Sequence, residues 1–332
     1  MEKDEFFTRI DIRKSLTGIS YHDSMLLFGS CFAENIGRLL TEGKFKADVN
    51  PFGVLYNPAS VALAVRRLLQ PKEQTVNDLF FHEGLYHSFE HHGSFSAVSE
   101  TGCLRKINER LRFSSVGLQQ INRLLVTWGT AYVYRLKATG QVVANCHKLP
   151  NKLFIRERLS VSQIVEEWDE LLTLLWRKNP ELKALFTVSP VRHRNDGGHE
   201  NQLSKSILLL AVEQLQLRYP GQIMYFPAYE LMMDELRDYR FYAEDMCHPS
   251  ETAIQYIWAR FVETYMEEQT RSILKSVSEV QKALNHKPLN PENDSYKQFL
   301  MQTLLKIERL RAKTPYLCFE KEIEKLKIAY EI

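Results

Sequence analysis

The sequence predicts an α/β protein, a parallel sheet covered by helices on both faces. Two observations predict it. Short apolar runs without alternation, such as "MLLF" (25–28) and "ALFTV" (184–188), read as strands buried on both sides. Between such runs lie capped stretches with helical periodicity, and alternation of the two is the pattern of a parallel sheet with crossover helices.

The elements follow in order. After the run 25–28, apolar Phe32, Ile36, Leu39 and Leu40 line one helical face. Asn57 and Pro58 suit the cap and first position of a second helix in "NPASVALAVRRLL". Residues 70–120 read as an insertion, a hairpin or irregular loop around "LFFHEGLYHSFEHHGSFS". "RLLVTWGTA" is the next buried strand, ending at Gly129, and "AYVYRLKATGQVVANCHKL" reads as a hairpin turning at Thr139-Gly140. Ser160 and Gln163 have capping-box spacing, and Ile164, Val165, Trp168, Leu171, Leu172 and Leu175 form the inner stripe of the helix they open. "ALFTVSP" is a strand, "NQLSKSILLLAVEQLQLRYPG" a helix and "IMYFP" a strand. Ser250 then caps a helix with Ile254, Ile257, Trp258, Phe261, Val262 and Tyr265 inside. This gives one α/β domain over 1–284. A Pro/Asn-rich linker, "NHKPLNPEND", introduces a helical extension over 285–332, whose Lys/Glu-rich helices (295–313, 318–331) pack back on the domain or form a homodimer contact.

Composition narrows the function. A formal net charge of +2 gives no electrostatic reason to expect nucleic acid or an acidic membrane surface. Five scattered cysteines form neither a disulfide framework nor a paired metal knuckle. The charged start "MEKDEFFTRIDIRKS" lacks a signal-peptide core, and no run approaches the ~18 apolar residues of a membrane span. The expectation is a cytoplasmic protein without membrane partners.

Chemistry concentrates at "LLFGSCFAEN" (26–35). Ligands of open parallel sheets sit outside the carboxyl ends of the strands. Ser30 stands there and opens a helix, whose N-terminal N–H groups and partial positive charge favour a developing oxyanion. Ser30 is therefore either a nucleophile or a plain helix cap. A nucleophilic serine needs a base held by an orienting group. "YAEDMCHPSETA" supplies one: Asp245 and His248, three residues apart before the Ser250-capped helix, are spaced to meet across a turn. The bland alternative is a turn-capping aspartate and an ordinary loop histidine.

These segments, with "NPFGVLYNPAS", "LVTWGTAYVYR", "VVANCHKLP", "FTVSPVRH" and "YFPAYELMMDELRDYRFYAEDMCHPS", resemble the GSCFA family, named for residues 29–33 as they stand here. That family belongs with the GDSL/SGNH-like hydrolases. The resemblance covers roughly residues 20–265. It implies a flavodoxin-like three-layer α/β/α fold and a cofactor-free site that hydrolyses or transfers a small O-acyl ester, on a small molecule or a carbohydrate. Ser30 is the implied nucleophile, His248 the base and Asp245 its orienter. The superfamily's oxyanion hole uses the nucleophile's N–H, a glycine after the second strand and an asparagine after the third. Gly53 is the glycine candidate. Ala131 stands where the asparagine is expected, so Asn145 is the suggested substitute and Asn50 a second donor. A module that keeps the fold without catalysis is the competing class.

Other residues near these segments carry chemistry of their own. Cys31 adjoins Ser30, but neighbouring residues point apart there and cysteine is commonly a small buried hydrophobe. His82, His87, His91 and His92 invite a zinc reading, yet their spacing matches no compact ligand motif, so no metal is expected and an aromatic flap beside the cleft is the alternative. Arg192 and His193, in "SPVRHRNDGGHENQ" after the fourth strand, are candidates to touch substrate, and His147 beside Asn145 has the same status.

Overall fold

Alternate residues of each buried strand face opposite ways, so a strand apolar at every position needs a layer of helices on each side. That requirement organises the fold seen in the structure, a computed structural model that describes residues 8–13, 18–286 and 293–331. Five strands form the parallel sheet: β1 (Ser24–Gly29), β2 (Lys46–Val49), β5 (Arg123–Trp128), β9 (Lys183–Val188) and β10 (Ile223–Phe226), in spatial order β10-β9-β5-β1-β2. Numbered within the sheet this is 2-1-3-4-5, the flavodoxin-like order, and its switch point lies between β1 and β5.

Two cores follow from the alternation. Leu26 and Phe28 of β1, with Leu124, Val126 and Trp128 of β5, pack under α2 (Pro58–Leu69), α4 (Val161–Lys178) and α5 (Gly198–Arg218). Met25 and Leu27 face the opposite way, toward α1 (Cys31–Glu42) and α7 (Glu251–Tyr265). The capping box of Ser160 and Gln163 is present, and the buried face of α4 is the predicted one from Ile164 to Leu175. On α7, Trp258 and Val262 are only partly buried, while Ala253 and Arg260 join the inner face.

The insertion differs from its expectation. Only β3 (Phe80–His82) and β4 (Leu85–His87) form a hairpin there, and residues 100–118 are α3 (Glu100–Leu118), a crossover helix returning the chain from β2 to β5. Its charged sequence hides a sparse buried stripe of Cys103, Ile107, Leu111 and Leu118. The predicted hairpin after Gly129 exists as β6 (Tyr132–Leu136) and β7 (Val142–Val143), turning at Gly140 with φ +71°. A third strand, β8 (Phe154–Arg158), pairs with the other edge of β6. Beyond one-turn α6 (Ala228–Glu230) and α7, the chain adds α8 (Glu268–Leu284), α9 (Asp294–Lys313) and α10 (Glu320–Glu331). Leu274, Val277, Ile307 and Phe319 of this tail extend the core on the α1 face. Residues 287–292 of the predicted linker lie outside the described residues. Among the described residues no helix is long and apolar enough to cross a membrane.

Candidate active site

The site begins with a glycine that nothing else can replace. Gly29 ends β1 at φ +148°, and a Cβ there would stand 2.3 Å from the Thr127 carbonyl oxygen of neighbouring β5. The sharp exit it permits places Ser30 at the mouth of α1. Ser30 is 2% exposed and caps the helix, its Oγ accepting from the Phe32 N–H at 3.3 Å. Capping leaves the hydroxyl proton free to donate. It donates to Ser189 Oγ, 3.0 Å away in the turn after β9. Among the described residues Ser30 makes no hydrogen bond to His248.

Asn50, in the turn after β2, grips the same corner. Its φ of +45° is one that asparagine tolerates, and its Oδ1 accepts the Gly29 N–H at 2.9 Å. That donor fixes the amide's orientation, which leaves Nδ2 buried without a hydrogen-bond partner. Gly53 is in the same turn, but its N–H is spent on the Asn50 carbonyl at 2.8 Å, and its α-carbon backs onto His92. Ala131 is fully buried in the core and its N–H donates to Ser204 Oγ. Asn145 accepts from the His147 N–H, and His147 Nε2 lies 2.9 Å from the Ser88 carbonyl oxygen. His147 meets the rings of His87 and Phe80, and among the described residues neither Asn145 nor His147 is hydrogen-bonded to Ser30. The structure therefore engages the Gly53 N–H, Asn145 and His147 with partners other than the serine and keeps Asn50 bonded to Gly29, the residue before it.

The remaining groups converge over Gly129 at the end of β5. A Cβ placed on Gly129 would lie 3.7 Å from Ser30 Cβ, 3.4 Å from His193 Nε2 and 3.1 Å from the Tyr56 carbonyl oxygen. The glycine thus leaves a gap walled by a serine and an imidazole. His193 is held by its own N–H, which donates to Asn201 Oδ1, while Nε2 has no partner of good hydrogen-bond geometry. Burial, then the nearby Lys205 amine, pushes His193 down to about 4, so it is neutral near pH 7.

Asp245 and His248 meet as expected, Oδ2 to Nδ1 at 2.5 Å. Asp245 Oδ1 also accepts the N–H groups of Cys247 and His248, a turn that Met246 closes at φ +57°. The His248 N–H, the imidazole and the Cys247 N–H together hold the Asp245 carboxyl down to about 2. The pair is roughly half exposed, unlike Ser30. The loop docks on the strand-β9 turn, Arg192 N–H donating to the Cys247 carbonyl and Arg194 to the Asp245 carbonyl.

Two residues beneath the site escaped the sequence reading. Lys205 on α5 is fully buried and donates at 2.7 Å to both the Gly129 and the Ser189 carbonyl oxygens. It fastens together the two strand ends that face Ser30, and burial pushes its amine down to about 7. Its place on the apolar face of α5, one turn before Leu208, was the available signal. Ser189 gave no such signal beyond its position before Pro190 at a strand end. The neighbour of Ser30, Cys31, lies beside the Tyr56 phenol, and burial pushes its thiol up, against a nucleophilic role. The flap histidines are engaged locally: His87 with Ser96 and the His82 carbonyl, His91 with Ser88, His92 with Ser94. Among the described residues no three His, Cys, Asp or Glu side chains are grouped to hold a metal ion.

Comparison with known proteins adds a lineage. A model of the GSCFA family matches residues 24–261, and one described as the C-terminal domain of GSCFA domain proteins matches residues 277–331, beginning inside α8. Among curated protein sequences none matches. Among solved structures the chain is similar to a family 3 carbohydrate esterase of Clostridium thermocellum, with 10% identity, a TM-score of 0.34 and coverage of 77% of this chain and 98% of that one. It is also similar to an acetyl xylan esterase of the rumen bacterium Butyrivibrio proteoclasticus, with 10% identity, a TM-score of 0.35 and coverage of 78% and 65%.

Proposed function

The chain belongs to the GSCFA family, and from that premise and the geometry at the end of β1 we propose that it is a serine hydrolase of small O-acyl esters. The observation that carries the reading is the gap over Gly129, walled by Ser30 and His193, with the turn of the Asp245–His248 pair docked on the segment that holds His193. In the described geometry Ser30 rests on Ser189. For attack the hydroxyl leaves Ser189 and turns to His248 Nε2, the nitrogen free to accept a proton because Nδ1–H is held by Asp245. Ser30 Oγ then attacks the acyl carbon while His248 takes its proton. The oxyanion falls to the N-terminus of α1 and to Asn50 Nδ2, the buried donor without a partner. This replaces Asn145 in the role of the missing asparagine. His248 returns the proton to the departing alkoxide, and water cleaves the acyl-enzyme by the same steps in reverse.

The Ser30–Ser189 bond favours one competing reading, a ligand-binding module whose serine is permanently tied down. Aryl esters of increasing acyl length, assayed beside Ser30→Ala and His248→Ala, separate the two. The hydrolase reading expects turnover of the shorter esters and its loss in both variants. Absence of turnover across the series, or turnover untouched by Ser30→Ala, contradicts it.

A further inference from the structure

The cleft beside His248 has a one-sided charge. Its cavity volume is 400 Å³, and its lining includes Arg192, His193, Arg194, Asn201 and Met246 without a single carboxylate. Among the described residues neither arginine is in an ion pair: Arg192 lies against the phenols of Tyr242 and Tyr229, and Arg194 donates to the Asp245 carbonyl. Three acids of the neighbouring segments are already engaged, Asp245 by His248, Asp196 by Arg156 and Glu200 by Arg158. Helix α5 opens on the same cleft at Gly197 and Gly198 with no side-chain cap, which adds the positive end of a 21-residue helix. Two arginines without a carboxylate partner among the described residues, both lining one cavity, make a site for a negative charge.

We infer that this cleft binds an anionic group, a carboxylate or phosphate, carried on the alcohol portion of the ester. The inference rests on the hydrolase reading for its placement. His248 protonates the leaving alkoxide, so the alcohol must lie on the His248 side of Ser30. The cleft is on that side, since Met246 belongs to the His248 turn and Arg192 and Arg194 bind its backbone. The acyl group lies on the other side, over Gly129. Specificity for a charged alcohol with a short acyl chain follows.

The test compares 4-acetoxybenzoate with its neutral isostere 4-acetoxybenzamide, and phenyl hemisuccinate with phenyl butyrate, in wild type, Arg192→Gln, Arg194→Gln and Arg192→Lys. Arg194 is exposed, so its variant keeps the fold even if Arg192→Gln does not. The expected result is a kcat/KM preference of roughly tenfold for the charged alcohol, as for two partly exposed ion pairs. That preference shrinks in each Gln variant and at high salt, and returns in part in Arg192→Lys. No preference for the carboxylate, a preference indifferent to the arginines, or one confined to the acyl side overturns the inference and leaves the hydrolase standing. Should no ester turn over, the hydrolase reading falls instead. Calorimetric binding of 4-hydroxybenzoate against 4-hydroxybenzamide to wild type and Arg194→Gln then decides the anion site alone: arginine-dependent binding of the acid supports it, and equal or absent binding ends it.

Discussion

Replacing Lys205 by methionine removes a fully buried amine from beneath the site, and the consequence depends on pH. The amine donates at 2.7 Å to the Gly129 and Ser189 carbonyl oxygens, faces the Tyr229 ring at 5.6 Å, and has no carboxylate partner among the described residues. Burial takes it from 10.5 to about 7. Below pH 7 both folded and unfolded chains hold the proton, and the cost of burying the charge is felt in full. Between pH 7 and 10.5 the folded chain carries a neutral amine while the unfolded chain stays protonated, so stability rises with pH. Above 10.5 the cost is gone. The slope approaches about 1.4 kcal/mol per pH unit. Methionine contributes no such slope, and leaves two carbonyls unpaired at roughly 1–3 kcal/mol each. The stability difference between wild type and Lys205→Met is therefore smallest near pH 6 and grows by roughly 2 kcal/mol from pH 7 to 9. His193, the titrating neighbour, changes charge below this window. Urea unfolding at pH 6, 7, 8 and 9 measures the difference. A difference that stays constant or shrinks with rising pH shows that the Lys205 amine does not lose its proton in the folded chain over this range.

Three further substitutions address the site. Asp245→Asn keeps a side chain of the same shape but no longer fixes the His248 tautomer, so kcat falls by roughly 10³–10⁴. Melting temperature barely moves, because the pair is about half exposed; steady-state kinetics and a thermal scan check both. Asn50→Ala removes the proposed oxyanion donor and lowers kcat by roughly 10²–10³ with little change in KM, whereas an effect confined to stability assigns Asn50 to the fold alone. Gly29→Ala forces a Cβ to 2.3 Å from the Thr127 carbonyl oxygen at positive φ and destabilises by about 3 kcal/mol or more, read from urea midpoints.

Much of this architecture is legible in the sequence because burial on both faces of a strand leaves an unbroken apolar run. "MLLF" and "ALFTV" show it, and Asn57, Ser160 and Ser250 mark helix starts with their own side chains. Strand β2 is an edge strand, "KADV", with no such run, and α3 buries too narrow a stripe to stand out among its charges. In the site, the Asp245–His248 contact was readable because three residues in a turn fix it locally. The choice of Asn50 over Asn145 was not, because it depends on which loop the sheet order brings beside Gly29. Ser189 meets the serine, and Lys205 meets the two strand ends beside it, only through the packing of β9 and α5, which no local spacing encodes.

In the proposed mechanism Ser30 is a nucleophile served by His248. Labelling with a fluorophosphonate, followed by mass mapping of the adduct, tests it most directly. The expected result is a single adduct on the peptide containing Ser30, absent from Ser30→Ala and formed far more slowly in His248→Ala. An unlabelled protein, an adduct on another residue, or labelling of Ser30 at the same rate without His248 contradicts it.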